Sequence, residues 1–126
     1  MYLYIVTCQD GSYYTGIAKD IRVRLQAHYD RKKQCAKYTK SHPIVALSAL
    51  WLFQNASTAA KLEYAVKQLS HLQKEQLIAY PEALTESLFP EYHKDLKQVY
   101  RNVQLESYLK KVIFYRFFCL KSRCDF

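Results

Sequence analysis

Two short apolar segments open the chain, and a tight turn joins them. Residues 2–7 and 12–17 are rich in aromatic and β-branched side chains, and Asp10-Gly11 lies between them. Asp-Gly closes short hairpins because both residues tolerate a positive φ. Alternation along a strand places Tyr4 and Leu3 on opposite faces. The pattern therefore predicts an antiparallel β-hairpin that carries tyrosines on one face.

Three helices are predicted after the hairpin. Asp20 is a suitable N-cap residue, and apolar positions recur at helical spacing from there to about Arg31. A second amphipathic pattern covers about residues 58–69. Ser70 and Gln73 then form a capping-box pattern, which predicts a further short helix directly after the second one.

The other segments are predicted as a strand, a loop and a helical C-terminal extension. Residues 44–53 form a dense apolar run, which indicates a central third strand, although its length also permits a helix. Residues 32–43 are polar and basic, so they are predicted as a loop. Residues 79–126 contain a long amphipathic stretch over about 91–118. We expect this extension to pack on the domain, with dimerisation or a membrane-surface contact as the alternatives.

The composition fits one folded domain with a basic surface. The chain has 126 residues, of which 50% are hydrophobic and only two are glycine, which excludes a disordered or fibrous protein. Its net charge is +8, and eight of its 19 lysine and arginine residues lie in residues 19–40. Such a concentrated positive field suits a phosphate backbone or an anionic membrane surface, and a solvated face without a partner is the alternative. The predicted nucleic-acid contacts are Arg31, Lys32, Lys33, Lys37 and Lys40.

The four cysteines do not form a zinc-binding pattern, since no Cys or His pair stands at the usual spacing. The first residues lack the pattern of a secretory signal, and no apolar run approaches the roughly 20 residues that span a bilayer. These features predict a cytoplasmic protein with reduced thiols and no membrane partner. The cysteines are Cys8, Cys35, Cys119 and Cys124.

Five side chains from the hairpin and two helices are predicted to form one site. The hairpin brings Tyr4 and Tyr14 onto neighbouring strands, and the next helix carries Arg24 and His28 on one face, since they are four residues apart. Glu63 lies on a later helix and supplies a carboxylate. Such a set suits phosphodiester hydrolysis, which needs a deprotonated water, a stabilised pentavalent phosphorus and a neutralised leaving oxygen.

Each residue of this site has both a catalytic and a structural interpretation. Arg24 would hold the non-bridging phosphate oxygens, and Glu63 would bind a cation such as Mg²⁺, which takes one or two carboxylates beside phosphate oxygens and water. A free phenol has a pKa of about 10, so Tyr4 or Tyr14 serves as a base only beside a cation, and the group that takes the proton stays open. His28 would assist. In the structural interpretation, the two tyrosines only pack in the sheet and Arg24 is a surface cation. His28 then lies at a helix end, and Glu63 forms an exposed ion pair along its helix.

These positions resemble the motifs of the GIY-YIG nuclease family, in its small stand-alone branch. The resemblance covers about residues 2–78, and the two motif tyrosines are ten positions apart, with the arginine ten positions further on. The second motif has Thr15 where isoleucine is typical. The matching segments are Leu3-Tyr4-Ile5, Tyr14-Thr15-Gly16, Arg24-Leu25 with His28, Ala36-Lys37-Tyr38-Thr39, Glu63 and residues 74–78.

The resemblance implies a fold and an activity. The fold is an α+β domain over residues 1–78, in which a small three-stranded antiparallel sheet is flanked by helices, followed by a helical C-terminal extension over 79–126. The activity is that of a one-metal DNA endonuclease that uses Mg²⁺ or Mn²⁺, with Tyr4, Tyr14, Arg24 and Glu63 in the site and Glu63 as the metal ligand. The stand-alone branch also resembles the nuclease half of structure-specific enzymes, which suggests a link to DNA repair or recombination.

Two other functions are consistent with the same sequence. The first is a nucleic-acid-binding module without catalysis, in which the site residues are retained as scaffold. The second is a protein-interaction domain whose aromatic tail recruits a partner or a second copy through residues 79–126. Cleavage of DNA that depends on Glu63 separates the nuclease from both alternatives.

Overall fold

A computed structural model of the chain describes residues 1–31 and 36–110. The strands are β1 (Tyr2–Cys8), β2 (Tyr13–Ala18), β3 (Ile44–Phe53) and β4 (Leu96–Tyr100). The helices are α1 (Ile21–Asp30), α2 (Lys37–Ser41), α3 (Ala56–Lys67) and α4 (His71–Ala79). A π-helical turn (Leu84–Leu88) and two 3-10 turns (Pro90–Asp95 and Leu105–Tyr108) complete the chain as far as it is described.

The strands form one antiparallel sheet in the order β2-β1-β3-β4. The predicted hairpin is confirmed, and its register pairs Tyr4 with Gly16 and Val6 with Tyr14, so these four residues share one face of the sheet. Gly11 in the turn has φ of +85°, a conformation that glycine adopts without strain. Residues 44–53 form a strand, not a helix, and β3 lies inside the sheet as the apolar run predicts.

The prediction of a three-stranded sheet is wrong, because β4 adds a fourth strand. Residues 96–100 were expected to continue an amphipathic helix, but they pair with β3 and cover an edge that would otherwise be open. The described part of the extension, residues 79–110, otherwise consists of short π and 3-10 turns. The predicted helix over residues 111–118 and the rest of the tail lie outside the described residues.

The helix starts agree with the capping signals in the sequence. The Val23 N–H donates to the Asp20 carboxylate at 3.2 Å, and the Ser70 and Gln73 side chains form a complete capping box at the start of α4. The predicted loop over residues 32–43 is partly wrong, because Lys37–Ser41 forms the short helix α2. One turn of helix carries too little periodicity to be recognised in the sequence.

The sheet separates two hydrophobic cores. The buried residues Leu3, Ile5 and Trp51 pack with α3 and α4 on one face, whereas Tyr4 and Leu25 belong to the core on the α1 face. The C-terminal extension adds one buried leucine to each core, Leu84 to the first and Leu105 to the second. None of the helices in residues 1–31 and 36–110 is both long and apolar enough to cross a membrane.

Candidate active site

Tyr4 lies at the centre of the candidate site because Gly16 leaves room for its ring. The Tyr4 side chain is fully buried and crosses the backbone of β2 at Gly16. A Cβ atom at Gly16 would stand 2.5 Å from the Tyr4 hydroxyl oxygen and 2.7 Å from the Tyr4 Cζ, so no other residue fits there without moving the phenol. The centroid of the Tyr14 ring lies 6.5 Å from the centroid of the Tyr4 ring.

His28 projects from α1 into contact with both tyrosines. Its Nε2 lies 2.6 Å from the Tyr4 hydroxyl oxygen, and its ring centroid is 5.5 Å from that of Tyr14. Burial, and then the charge of Arg24, lower the pKa of His28 from 6.5 to about 4. The imidazole is therefore neutral at neutral pH, with one nitrogen that donates a hydrogen bond and one that accepts.

Arg24 lies one helical turn before His28 and is half-buried beside the same phenols. Its guanidinium lies beside the hydroxyl groups of Tyr4 and Tyr14. Burial alone would lower the pKa of Arg24, but the neighbouring phenol groups of Tyr4 and Tyr14 outweigh it and raise that pKa. Arg24 is thus a fixed cation at the edge of the tyrosine pair, the arrangement that a phosphate oxygen would meet.

Tyr4 itself stays protonated in this environment. Burial is the main cause that raises its pKa above the ordinary value near 10, while the hydrogen bond and charge of Arg24 act in the opposite direction. The charges of Tyr14 and Glu63 add smaller increases to the pKa of Tyr4. Tyr4 therefore needs a proton acceptor or a further cation nearby before it can act as a base.

Glu63 on α3 reaches the same site from the side of β2. Its charge acts on Tyr4, and the Lys67 ammonium lies 3.3 Å from the Glu63 carboxylate and 5.5 Å from the centroid of the Tyr14 ring. The Glu63 side chain is 24% exposed, so it remains open to a ligand. The structure thus brings together Tyr4, Tyr14, Arg24 and His28, and it places Glu63 close enough for its charge to act on Tyr4.

The residues present fit a sparsely ligated Mg²⁺ rather than an enclosed metal centre. Within the described part of the chain, no group of three or more His, Cys, Asp or Glu side chains could surround a metal ion. Glu63 offers a single carboxylate, which forms an ion pair with the Lys67 ammonium. A cation is therefore stabilised at the position next to this carboxylate. Mg²⁺ accepts one or two carboxylates and completes its shell with water and phosphate oxygens.

The predicted basic contacts lie next to this site on α2 and at the end of α1. Arg31, Lys37 and Lys40 are exposed, whereas Lys32 and Lys33 lie outside the described residues. The α2 segment reaches the site through Tyr38, whose ring stacks on Tyr14 with centroids 6.1 Å apart. Lys37 and Lys40 therefore lie on the helix that contacts the site, and Arg31 directly follows the helix that carries Arg24 and His28.

Two residues of the site had no role assigned from the sequence. Gly16 accommodates the Tyr4 ring. The sequence contains a signal for this role, because the chain has only two glycines and the other one closes the hairpin. Thr39 on α2 contacts His28, with its hydroxyl 2.7 Å from Nδ1, and no periodic pattern marks this position. Thr15, which replaces the typical isoleucine, points into the other core, and its buried hydroxyl has no hydrogen-bond partner among the described residues.

Comparison with known proteins assigns the chain to a family. The model of the GIY-YIG catalytic domain matches residues 1–76, so the chain belongs to the GIY-YIG family, and the resemblance in its motifs is confirmed. Its relatives include short proteins named UPF0213. The one from Fusobacterium nucleatum is 39% identical over 87 residues, which cover 69% of this chain and 85% of the relative.

A second UPF0213 protein, from Staphylococcus saprophyticus, is 46% identical over 78 residues, 62% of this chain and 93% of the relative. Among solved structures, the solution NMR structure of the UPF0213 protein from Bacillus halodurans is 41% identical. The match covers 69% of this chain and 94% of that one, with a TM-score of 0.41.

Proposed function

We propose that the protein is a metal-dependent DNA endonuclease of the cytoplasm that cuts branched or flapped DNA of the kind formed in repair and recombination. The observation that carries the proposal is the convergence of two phenols, a guanidinium and an open carboxylate on one small surface. Membership of the GIY-YIG family supports hydrolysis of phosphodiester bonds as the reaction.

Each residue of the candidate site has a separate role in the proposed reaction. Arg24, already fixed by the phenols, binds the non-bridging oxygens of the scissile phosphate and stabilises the charge that builds up in the transition state. Tyr4 and Tyr14 orient the attacking water, with His28 behind Tyr4. Glu63 would hold Mg²⁺ or Mn²⁺, and the bound ion would polarise the phosphate and stabilise the leaving oxygen.

DNA binding follows from the exposed cations beside the site. Arg31, Lys37 and Lys40 contact phosphates rather than base edges, so they bind the backbone without reading sequence. Each neutralised phosphate releases counterions, and the binding constant should therefore fall steeply as salt rises. A binding constant that hardly changes between 50 and 200 mM salt, roughly the range over which such contacts lose most affinity, would contradict this part of the proposal.

The central test replaces Glu63 by Gln, which keeps the side-chain volume and removes the charge. Purified wild type is incubated with nicked, flapped and four-way branched DNA in Mg²⁺ or Mn²⁺, and cutting is followed on gels. We expect E63Q to cut at least about 100-fold more slowly while its affinity for the same DNA changes little.

The control is Glu91→Gln, which removes the same charge from an exposed position on the 3-10 turn after α4. It should cut as the wild type does. If the wild type binds every branched substrate and cuts none of them with either metal, the chain is a binding module and the nuclease proposal fails.

A further inference from the structure

Three hydrogen bonds run in series from the candidate site to the backbone carbonyl of Ala36, directly before α2. The Tyr4 hydroxyl oxygen lies 2.6 Å from His28 Nε2, and His28 Nδ1 lies 2.7 Å from the Thr39 hydroxyl oxygen. The Thr39 hydroxyl in turn donates to the Ala36 carbonyl oxygen at 3.1 Å. Tyr4, His28 and Thr39 are all fully buried, so water does not compete for the two hydrogen bonds of the His28 ring.

The last acceptor fixes the direction of the whole series. A carbonyl oxygen carries no proton, so the single hydroxyl proton of Thr39 goes to Ala36. The Thr39 oxygen can then only accept a hydrogen bond from His28, which places the imidazole proton on Nδ1. A neutral imidazole has one N–H, so Nε2 is left with a lone pair that accepts the Tyr4 hydroxyl proton.

The surroundings of Tyr4, at the other end of this series of hydrogen bonds, agree with the same direction of donation. The Arg24 guanidinium, which offers only N–H donors, lies beside the Tyr4 hydroxyl. The hydroxyl proton of Tyr4 therefore points away from Arg24, towards His28 Nε2. The depressed pKa of His28 is consistent with a neutral ring in this position.

We infer that Thr39 is a positioning residue that holds His28 in its Nδ1–H tautomer, so that His28 Nε2 is kept ready to accept the proton of Tyr4. The other tautomer would place a proton on Nε2, which would then donate to Tyr4 and turn the phenol proton towards the site. Only with Nε2 unprotonated can Tyr4 pass its proton inward while its oxygen remains available to the Arg24 guanidinium. The catalytic consequence rests on the proposed nuclease function, but the tautomer itself does not.

The tautomer can be measured without any DNA. In the full chain labelled with ¹⁵N-histidine, two-bond ¹H–¹⁵N correlations distinguish a protonated ring nitrogen from an unprotonated one, and the His28→Gln variant identifies the His28 signals. We expect the wild type to show Nδ1 protonated and Nε2 unprotonated at pH 7. In Thr39→Val, which keeps the shape and removes the hydroxyl, the proton should move wholly or partly to Nε2, whereas Thr39→Ser should retain the wild-type pattern.

The matched control is Thr85→Val. Thr85 is also buried, and its hydroxyl lies 3.1 Å from Nδ1 of a different histidine, His93, within the C-terminal extension. This variant removes the same group with a similar structural cost and should leave the His28 signals unchanged. A change in the His28 tautomer in T85V as large as in T39V would show that the effect is structural and would overturn the assignment.

The enzymatic consequence is a second readout. On a branched substrate that the wild type cuts, T39V should lower kcat by about 10- to 100-fold with little change in KM, and T39S should restore most of it. An Nε2–H tautomer in the wild type overturns the inference even if T39V does not fold. A wild type with the expected tautomer that cuts no substrate leaves the assignment of Thr39 intact and overturns the proposed function instead.

Discussion

At the scale of single residues, the burial of His28 links the site to the stability of the fold. The folded chain lowers the pKa of His28 to about 4, against 6.5 for a free imidazole. Between these pH values the unfolded chain binds a proton that the folded chain does not, so stability falls as the pH drops from 6.5 towards 4. Above pH 6.5 both states hold a neutral ring, and this contribution is fully retained.

The variant His28→Gln should remove this pH dependence, since an amide can still accept from Tyr4 but does not titrate. Relative to H28Q, we expect the wild type to lose roughly 2–3 kcal/mol of unfolding free energy between pH 7 and pH 4. Urea unfolding of both proteins at the two pH values measures the difference. Unfolding free energies that fall in parallel would show that His28 is not buried as a neutral group.

The residues of the site differ in how far the sequence could predict them. Tyr4, Tyr14, Arg24 and His28 lie on a hairpin and a helix whose periodicities fix relative positions over short distances, so their convergence could be expected. Thr39 could not be placed, because its contact with His28 depends on how a single helical turn docks after a basic segment without periodicity.

At the scale of elements, the hairpin joins its two strands closely enough for the Tyr4 ring to lie against the backbone of β2. The replacement Gly16→Ala puts a methyl group where the phenol now stands, 2.5 Å from its oxygen. Because Tyr4 is hydrogen-bonded to His28 and lies beside Arg24, its displacement breaks that hydrogen bond and moves the phenol away from the guanidinium. We expect G16A to fold and to cut branched DNA about 100-fold more slowly, as measured by single-turnover cleavage.

The other glycine provides the control for this prediction. Gly11 has φ of +85° in the turn and open space around its Cα, so Gly11→Ala strains the backbone without touching the site. It should lower the unfolding free energy by about 1 kcal/mol and leave cleavage unchanged at temperatures where the protein is folded. If G11A and G16A lost activity to the same extent, the close contact at Gly16 would not explain the loss.

Elements with local signals were predicted correctly, and those that depend on distant partners were not. The hairpin has its Asp-Gly turn, and α1 and α4 have side-chain caps within three residues of their first turns. Strand β4 has no such signal, because its half-exposed residues become a strand only through pairing with the edge of β3. Its identity is therefore set by tertiary structure.

At the scale of the whole molecule, residues 79–110 contribute to both faces of the sheet. Leu84 is buried in the core beneath α3 and α4, and Leu105 is buried in the core beneath α1. The Trp51 indole N–H donates to the Pro81 carbonyl oxygen at 3.0 Å, and β4 covers the edge of the apolar strand β3. The extension thus stabilises the same cores that position the candidate site.

A chain that ends after Ile78 should therefore fail to fold as a soluble monomer. Loss of each buried leucine costs about 2–5 kcal/mol, which together approaches the whole stability of a small domain. An open β3 edge with the sequence IVALSALWLF also favours edge-to-edge association. Circular dichroism and size-exclusion chromatography should show an unfolded or aggregated protein, whereas a chain that ends after Lys110 keeps Leu84, Leu105 and β4 and should melt cooperatively. A monomeric, cooperatively melting 1–78 chain would show that the nuclease motifs alone specify the fold and that the extension serves association instead.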